Sequence, residues 1–239
     1  MNKNKILAVI SIVIVYSLIS YLVDKAYILP GIFDIVLSLK NIVFSTGFLP
    51  IVLTTLIRSL TGLLISFVLA LFLSLVSYFN RRFSEFMEPV YVMLKTIPNI
   101  TYIIVALLWL GRNGSAILVS SLVVFPIFYN SFLSALRNID ENLINATRLY
   151  NCSLIYKIRK IYLPLIKPQI LTSLSNCCSL GFKVSIMAEI LSQVRSGIGR
   201  ELYFAKANLL MADIFAWTII IIAISYLMDR LIFSFNKRQ

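Results

Sequence analysis

Apolar residues in this chain run in long unbroken blocks rather than alternating with polar ones. The blocks fall at positions 6–23, 53–76, 89–110, 115–136, 170–190 and 214–228. Runs of this length predict helices that cross a bilayer, because each segment in lipid must satisfy its own backbone hydrogen bonds. A barrel would need polar and apolar positions to alternate along each strand. The pattern therefore predicts an all-α, polytopic membrane protein, with six transmembrane helices forming a single domain over 1–239. The first block is longer than the apolar core of a signal peptide and no small-residue cleavage signal follows it, so it reads as a retained anchor. Pro98 interrupts the third block and predicts a kink or a late start, and Pro126 predicts a bend in the fourth. The last block lies between Asp213 and Asp229. At about 1.5 Å per residue it falls short of a ~30 Å hydrocarbon core, so its helix must extend past those aspartates or sit where the bilayer thins.

Two connecting segments carry structure of their own. In 24–50, Pro30, Gly31 and Gly47 flank a mildly apolar stretch over 32–43, which predicts a short interfacial helix. In 137–169, Leu143, Ala146 and Tyr150, then Leu154, Ile158 and Ile161, recur at helical spacing. Asn151, Cys152 and Ser153 interrupt that pattern, and Pro164 and Pro168 are expected to stop it before the fifth span. The segment reads as two short amphipathic helices joined by a turn. It either lies on anionic headgroups or docks to a soluble cytoplasmic partner.

Composition sharpens the picture. Of 239 residues, 13% are charged, with 22 basic and 10 acidic side chains; a soluble domain carries about a quarter. Mean hydropathy is +0.90. A net charge of +12 on a soluble face would point to nucleic acid. Here the basic residues sit between apolar blocks, so they report orientation instead. Thirteen basic residues fall on the side of the two termini (Lys3, Lys5, Arg81, Arg82, Arg137, Arg148, Lys157, Arg159, Lys160, Lys167, Arg230, Lys237 and Arg238), against seven on the opposite side (Lys25, Lys40, Arg58, Arg112, Arg195, Arg200 and Lys206). Their excess predicts that both termini lie in the cytoplasm. The tyrosines scatter near span ends, where they suit the membrane interface, and no nucleic-acid partner is expected.

Histidine is absent, which removes imidazole bases and His-ligated metals. Cys152, Cys177 and Cys178 have neither metal-ligand nor disulfide spacing. No catalytic residue, metal or bound cofactor is expected. The sequence Ser196-Gly197-Ile198-Gly199-Arg200 predicts a tight, flexible outer loop and lacks the Lys-Ser/Thr ending of a phosphate-binding loop.

Charges inside the spans are the remaining chemistry. Lys183 and Glu189 are six residues apart and face different ways on a helix. Lys183 is costly against lipid, so it packs against a neighbouring helix or lines a translocation path. Glu189 either reaches water or meets a basic residue. Arg58 is the available partner, unless it anchors the membrane interface. Lys95 either reaches headgroups or adds positive charge to a translocation path.

The order of motifs resembles the permease subunits of ABC importers, in the nitrate/sulfonate/taurine branch. The family's cytoplasmic signature is similar in spacing to Asn145-Ala146-Thr147, Asn151 and Ile161-Tyr162-Leu163-Pro164. It departs in content, with Asn145 in place of glutamate, Thr147 of alanine and Asn151 of glycine. Leu29-Pro30, Thr54-Thr55-Leu56 with Arg58 and Gly62, Glu88-Pro89, Lys95-Thr96-Ile97-Pro98, Trp109-Leu110-Gly111, Ala188-Glu189, Ser196-Gly197-Ile198-Gly199 and Asp229-Arg230 also fall in the family's order.

The resemblance implies a type I ABC importer permease fold and a non-catalytic subunit that carries a small anionic solute. It implies coupling to the ATPase through 137–169, with Asn145, Ala146, Thr147, Arg148, Asn151, Ile161 and Pro164 as the coupling residues. It further implies a homodimer in the lipid of a bacterial inner (plasma) membrane, two cytoplasmic ATPase subunits that hold ATP and Mg, and an extracytoplasmic solute-binding protein. Arg58, Lys183 and Glu189 are the candidates for the path or its gate, and Ser196, Gly197 and Gly199 for the outer loop. The competing reading is a secondary transporter or channel that works without an ATPase and uses Lys183, Glu189 and Arg58 for ion coupling. Inverted repeats would mark that class, and none is clear.

Overall fold

The computed structural model describes residues 3–23, 25, 27–140, 142–144 and 153–237. Every regular element among them is helical: α1 (Lys3–Val23), α2 (Ile32–Val43), α3 (Phe48–Phe79), α4 (Arg81–Thr96), α5 (Asn99–Arg137), α6 (Leu154–Ser192), α7 (Ile198–Ala207) and α8 (Met211–Lys237). Among the described residues, four stretches are long and apolar enough to cross a membrane: Phe48–Phe79, Asn99–Arg137, Leu154–Ser192 and Met211–Ile232.

The expected third span is divided. Asn80 caps α4 by accepting from the Phe83 N–H at 3.1 Å, and the helix ends at Thr96. Pro98 cannot donate and holds Ile97 in an extended conformation (φ −64°, ψ 128°), so α5 starts afresh at Asn99. Gly111 then breaks α5 with φ +65° and ψ −168°, a backbone state reserved for glycine. The arms on either side, 99–110 and 112–137, pack on each other through Tyr102, Ile103 and Ala106 against Ala116 and Val119. The expected third and fourth spans are thus two arms joined at Gly111, and Pro126 lies within the second with no further break in helical geometry.

Small residues set the spacing at the centre of the fold. On α3, Thr55, Ser59, Gly62, Ser66, Ala70, Ser74 and Ser77 form one buried stripe at three- and four-residue intervals. Within lipid there is little hydrophobic drive between helices, so close backbone approach and interhelical hydrogen bonds hold them together. A Cβ at Gly62 would lie 2.1 Å from Ser120 Oγ and 2.7 Å from the Ile117 carbonyl oxygen, so α3 and α5 meet there almost backbone to backbone. Ser66 donates to the Ser121 carbonyl at 2.5 Å, and the Ser77 and Tyr129 hydroxyls share a hydrogen bond of 2.7 Å. Larger side chains fill the next layer, where Phe67 packs edge-on against Phe128 and Phe132.

The helix over 32–43 forms as expected. α8 extends past both aspartates, and each carboxylate has a partner: Ser38 donates to Asp213 at 2.6 Å and Ser179 to Asp229 at 2.5 Å. The prolines of α6 behave differently from expectation. Helix begins at Leu154 and runs through Pro164 and Pro168 to Ser192 without stopping. A π turn over Ile158–Tyr162, closed by the Leu163 N–H donating to the Ile158 carbonyl, sets Pro164 into the first turn of the α-helical part, where a missing donor costs little.

Candidate functional site

Glu189 lies near the end of α6 with its side chain fully buried, and an isolated carboxylate there would be strongly destabilising. The structure satisfies it completely. Arg58 Nη1 on α3 donates to Glu189 Oε1 at 2.8 Å, while Thr55 Oγ1 and the Gly199 backbone N–H donate to Oε2 at 2.9 and 3.0 Å. Thr55 and Arg58 are three apart, so one face of α3 presents both. The arginine also donates to the Ser196 carbonyl at 2.6 Å through Nη1 and to Asn113 Oδ1 at 3.1 Å through Nη2.

These bonds fasten the segment 193–199 to two helices. Gln193 ends α6 in the left-handed region (φ 47°), which turns the chain back. Thr55 Oγ1 accepts from the Ile198 N–H at 2.8 Å, so the start of α7 is pinned to α3. Gly197 has φ +126°, and a Cβ there would sit 2.8–2.9 Å from both Glu189 oxygens and Thr55 Oγ1. A Cβ at Gly199 would lie 2.3 Å from the Glu189 Cβ. Both glycines are therefore required by how closely the chain passes over the carboxylate. Nearby, Ser115 on the second arm of α5 donates to Ser192 at 2.7 Å. The result is a buried clasp joining α3, α5, α6 and the head of α7. Both oxygens of Glu189 are occupied, so the clasp is suited to holding a conformation rather than to proton transfer.

The structure thus brings Arg58, Glu189, Ser196, Gly197 and Gly199 together. Arg58 is buried, not an exposed interface anchor, and Glu189 reaches a basic partner, not water. The segment over 196–199 is tied by backbone hydrogen bonds, in place of the free, flexible loop its glycines predict. Lys183 stands apart: it is exposed on a narrow outward strip of α6, along with Thr172, Asn176 and Met187, while Phe182, Ser185, Ile186 and Glu189 around the rest of the helix are buried.

Of the residues expected to couple to an ATPase, Ile161 is half-buried and Pro164 is exposed, both at the start of α6. Asn145, Ala146, Thr147, Arg148 and Asn151 lie outside the described residues. Between Ile161 and Pro164, Tyr162 is buried and packs edge-on against Tyr78 and Phe79 at the end of α3, with ring centroids 5.5 and 5.4 Å apart. Leu154, Ile155 and Tyr156, one to two turns earlier, are exposed. Thr55 and Asn113 were not singled out as site residues by sequence reasoning. Thr55 carries a signal in its position three before Arg58; Asn113 has none beyond its place beside Gly111.

The comparisons with known proteins agree with this architecture. The chain is 25% identical over 209 residues to SsuC of Bacillus subtilis (strain 168), named as a candidate aliphatic sulfonates transport permease protein, an alignment covering 87% of this chain and 75% of that one. It is 25% identical over 182 residues to CmpB of Synechococcus elongatus, a bicarbonate transport system permease protein, covering 75% of this chain and 65% of its relative. Its fold is similar to a chain of the MetNI methionine ABC transporter in an inward-facing conformation, with a TM-score of 0.64, 17% identity, and coverage of 80% of this chain and 99% of that one. Residues 62–239 match the family described as the binding-protein-dependent transport system inner membrane component. The chain belongs to that family: it is a multi-pass membrane permease subunit of an ABC transporter with the type I importer fold.

Proposed function

We propose that this chain forms, as a homodimer, the solute path of an ATP-driven importer for a small anion of the sulfonate or bicarbonate kind. Two cytoplasmic ATPase subunits, which hold ATP and Mg, drive it, and an extracytoplasmic binding protein delivers the solute. Both termini lie in the cytoplasm. The observation that carries the reading is the outward strip of α6, where Lys183 stands exposed among Thr172, Asn176 and Met187 within an apolar span. A lysine at that depth is not stable against lipid, so a second protomer and a wet path cover it. A cation on the path favours an anionic solute, in keeping with relatives named for sulfonate and bicarbonate transport.

The same helix supplies the mechanics. α6 spans Leu154–Ser192, about 58 Å at 1.5 Å per residue. Its first turns, with exposed Leu154, Ile155 and Tyr156, follow the coupling residues Asn145, Ala146, Thr147, Arg148 and Asn151 and present an apolar surface to the ATPase. Its far end carries Glu189 and the clasp. Movement imposed by the ATPase at Ile161 and Pro164 reaches Arg58–Glu189 along one rigid element, and opening of the clasp changes which side of the dimer is accessible.

The test is to isolate two differently tagged copies of the chain from membranes together with the ATPase. Co-isolation of both tags and the ATPase, with the ATPase lost when residues 145–151 are replaced by glycine and serine, is the expected result. Sustained uptake in cells lacking every ATPase subunit would instead favour the secondary transporter.

A further inference from the structure

The chain holds a second polar site, separate from the clasp. A cleft of about 540 Å³ opens between α4, the second arm of α5 and the start of α6. Its lining is apolar at Val123, Pro126 and Ile127 and polar at Lys95, Asn99, Asn130, Ser134 and Gln169. The volume is that of a small-molecule site. Among the described residues lining it there is one cation, Lys95, and no carboxylate. The ammonium of Lys95 sits 5.9 Å from the centroid of the Tyr91 ring. It makes no ion pair among the described residues. Glu88, the nearest acid on α4, is seven residues away, about 10 Å of helical rise.

The hydrogen-bond pattern separates structural groups from available ones. Gln169 Nε2 donates to Ser131 Oγ at 2.8 Å, Ser131 and Ser173 share a hydrogen bond, and Ser173 donates back to the Gln169 carbonyl at 2.7 Å. That ring is closed on itself and ties α5 to α6. The side chains of Asn99, Asn130 and Ser134 form no such bonds within the chain among the described residues, so their donors remain directed to whatever fills the cleft. Asn130 and Ser134 lie four apart on one exposed stripe of α5 that continues through Ile127.

We infer that this cleft binds a small organic oxyanion, with its charged head on Lys95, Asn130 and Ser134 and its alkyl part on Val123, Pro126 and Ile127. Charge-assisted donation from lysine and neutral donors suits a sulfonate or carboxylate head. The apolar lining and the volume favour an alkyl anion over a bare inorganic one. The inference rests on the anionic-solute reading above and adds a place and a size to it.

The test uses the assembled transporter in membrane vesicles, with Cys152, Cys177 and Cys178 replaced by alanine and a single Asn130→Cys. Its rate of modification is compared for an anionic and a cationic methanethiosulfonate reagent of equal size, then repeated with Lys95→Gln and Lys95→Arg. The anionic reagent is expected to react several-fold faster, with the preference lost in Lys95→Gln and kept in Lys95→Arg. 1-Butanesulfonate is expected to slow modification at concentrations where nitrate does not. Ser134→Cys provides the same readout should Asn130→Cys fail to assemble. Equal rates for the two reagents, or equal protection by nitrate and butanesulfonate, would overturn the inference. ATP-driven uptake of anions is followed in the same vesicles: its absence with the reagent preference intact refutes the transport reading and upholds the site. Uptake of butanesulfonate unchanged by Lys95→Gln does the reverse.

Discussion

The guanidinium of Arg58 and the carboxylate of Glu189 meet at 2.8 Å across 131 residues of sequence, with Glu189 fully buried. Removing one partner strands the other charge in a poorly solvated site, which costs about 3–5 kcal/mol, whereas replacing both by apolar groups of similar shape is much milder. Arg58→Met and Glu189→Leu are each expected to lower the thermal unfolding temperature in detergent sharply, and the double variant to recover much of the loss. A double variant no better than the worse single one would show that the pair is not a unit.

Gly197 and Gly199 pass directly over that carboxylate. Gly197→Ala puts a side chain at φ +126° and into the Glu189 oxygens, and strain of this kind costs about 1–3 kcal/mol. The expected outcome is loss of amide exchange protection at Ile198 and Gly199, with the α3–α5 core unaffected. Unchanged protection there would contradict the clasp.

Helices α3 and α5 approach each other closely at Gly62. Gly62→Leu has no room between Ser120 Oγ and the Ile117 carbonyl, so the folded yield in membranes is expected to collapse. Substitution of Leu64, which is exposed two positions later, by alanine is expected to leave the yield within about 0.5 kcal/mol of stability. Comparable yields for both would place the α3–α5 contact elsewhere.

Tyr162 anchors the first turns of α6 to Tyr78 and Phe79. Tyr162→Ala removes those ring contacts, each aromatic pair being worth about 0.5–1.5 kcal/mol beyond burial. The transporter is expected to retain its ATPase but lose solute-stimulated ATP hydrolysis several-fold. Stimulation at the native level would show that this anchor does not transmit movement.

The elements easiest to read were those governed by single strong effects. Unbroken apolar runs marked the long helices; Pro98 was legible as a kink or a late start, and the last apolar run as a helix that either passes its two aspartates or sits in thinned bilayer, with the late start and the longer helix observed. Arg58 was legible only as one of two alternatives, a partner for Glu189 or an anchor at the membrane interface, and the ion pair decides between them.

Other features depend on tertiary geometry that side-chain pattern does not encode. Glycines at 197 and 199 suggest freedom in isolation; they serve close approach because a buried carboxylate lies beneath them. Pro164 and Pro168 look like stops, yet one π turn at Ile158–Tyr162 realigns the helix around them. The serines of α3 look merely polar until they are seen to share one buried stripe. Lys183 could be read as packing or path from sequence, and its outward direction is fixed only by which face of α6 the neighbouring helices occupy.

In the proposed function, an ATPase drives this chain as an importer of a small anion. The direct measurement is uptake of radiolabelled butanesulfonate into proteoliposomes holding the purified chain, its ATPase and its binding protein. Uptake that requires ATP and stops when the ATPase is made hydrolysis-deficient is the predicted result. Accumulation at the same rate by the chain alone under an ion gradient, or ATP-driven uptake of glycine betaine with none of butanesulfonate, would contradict it.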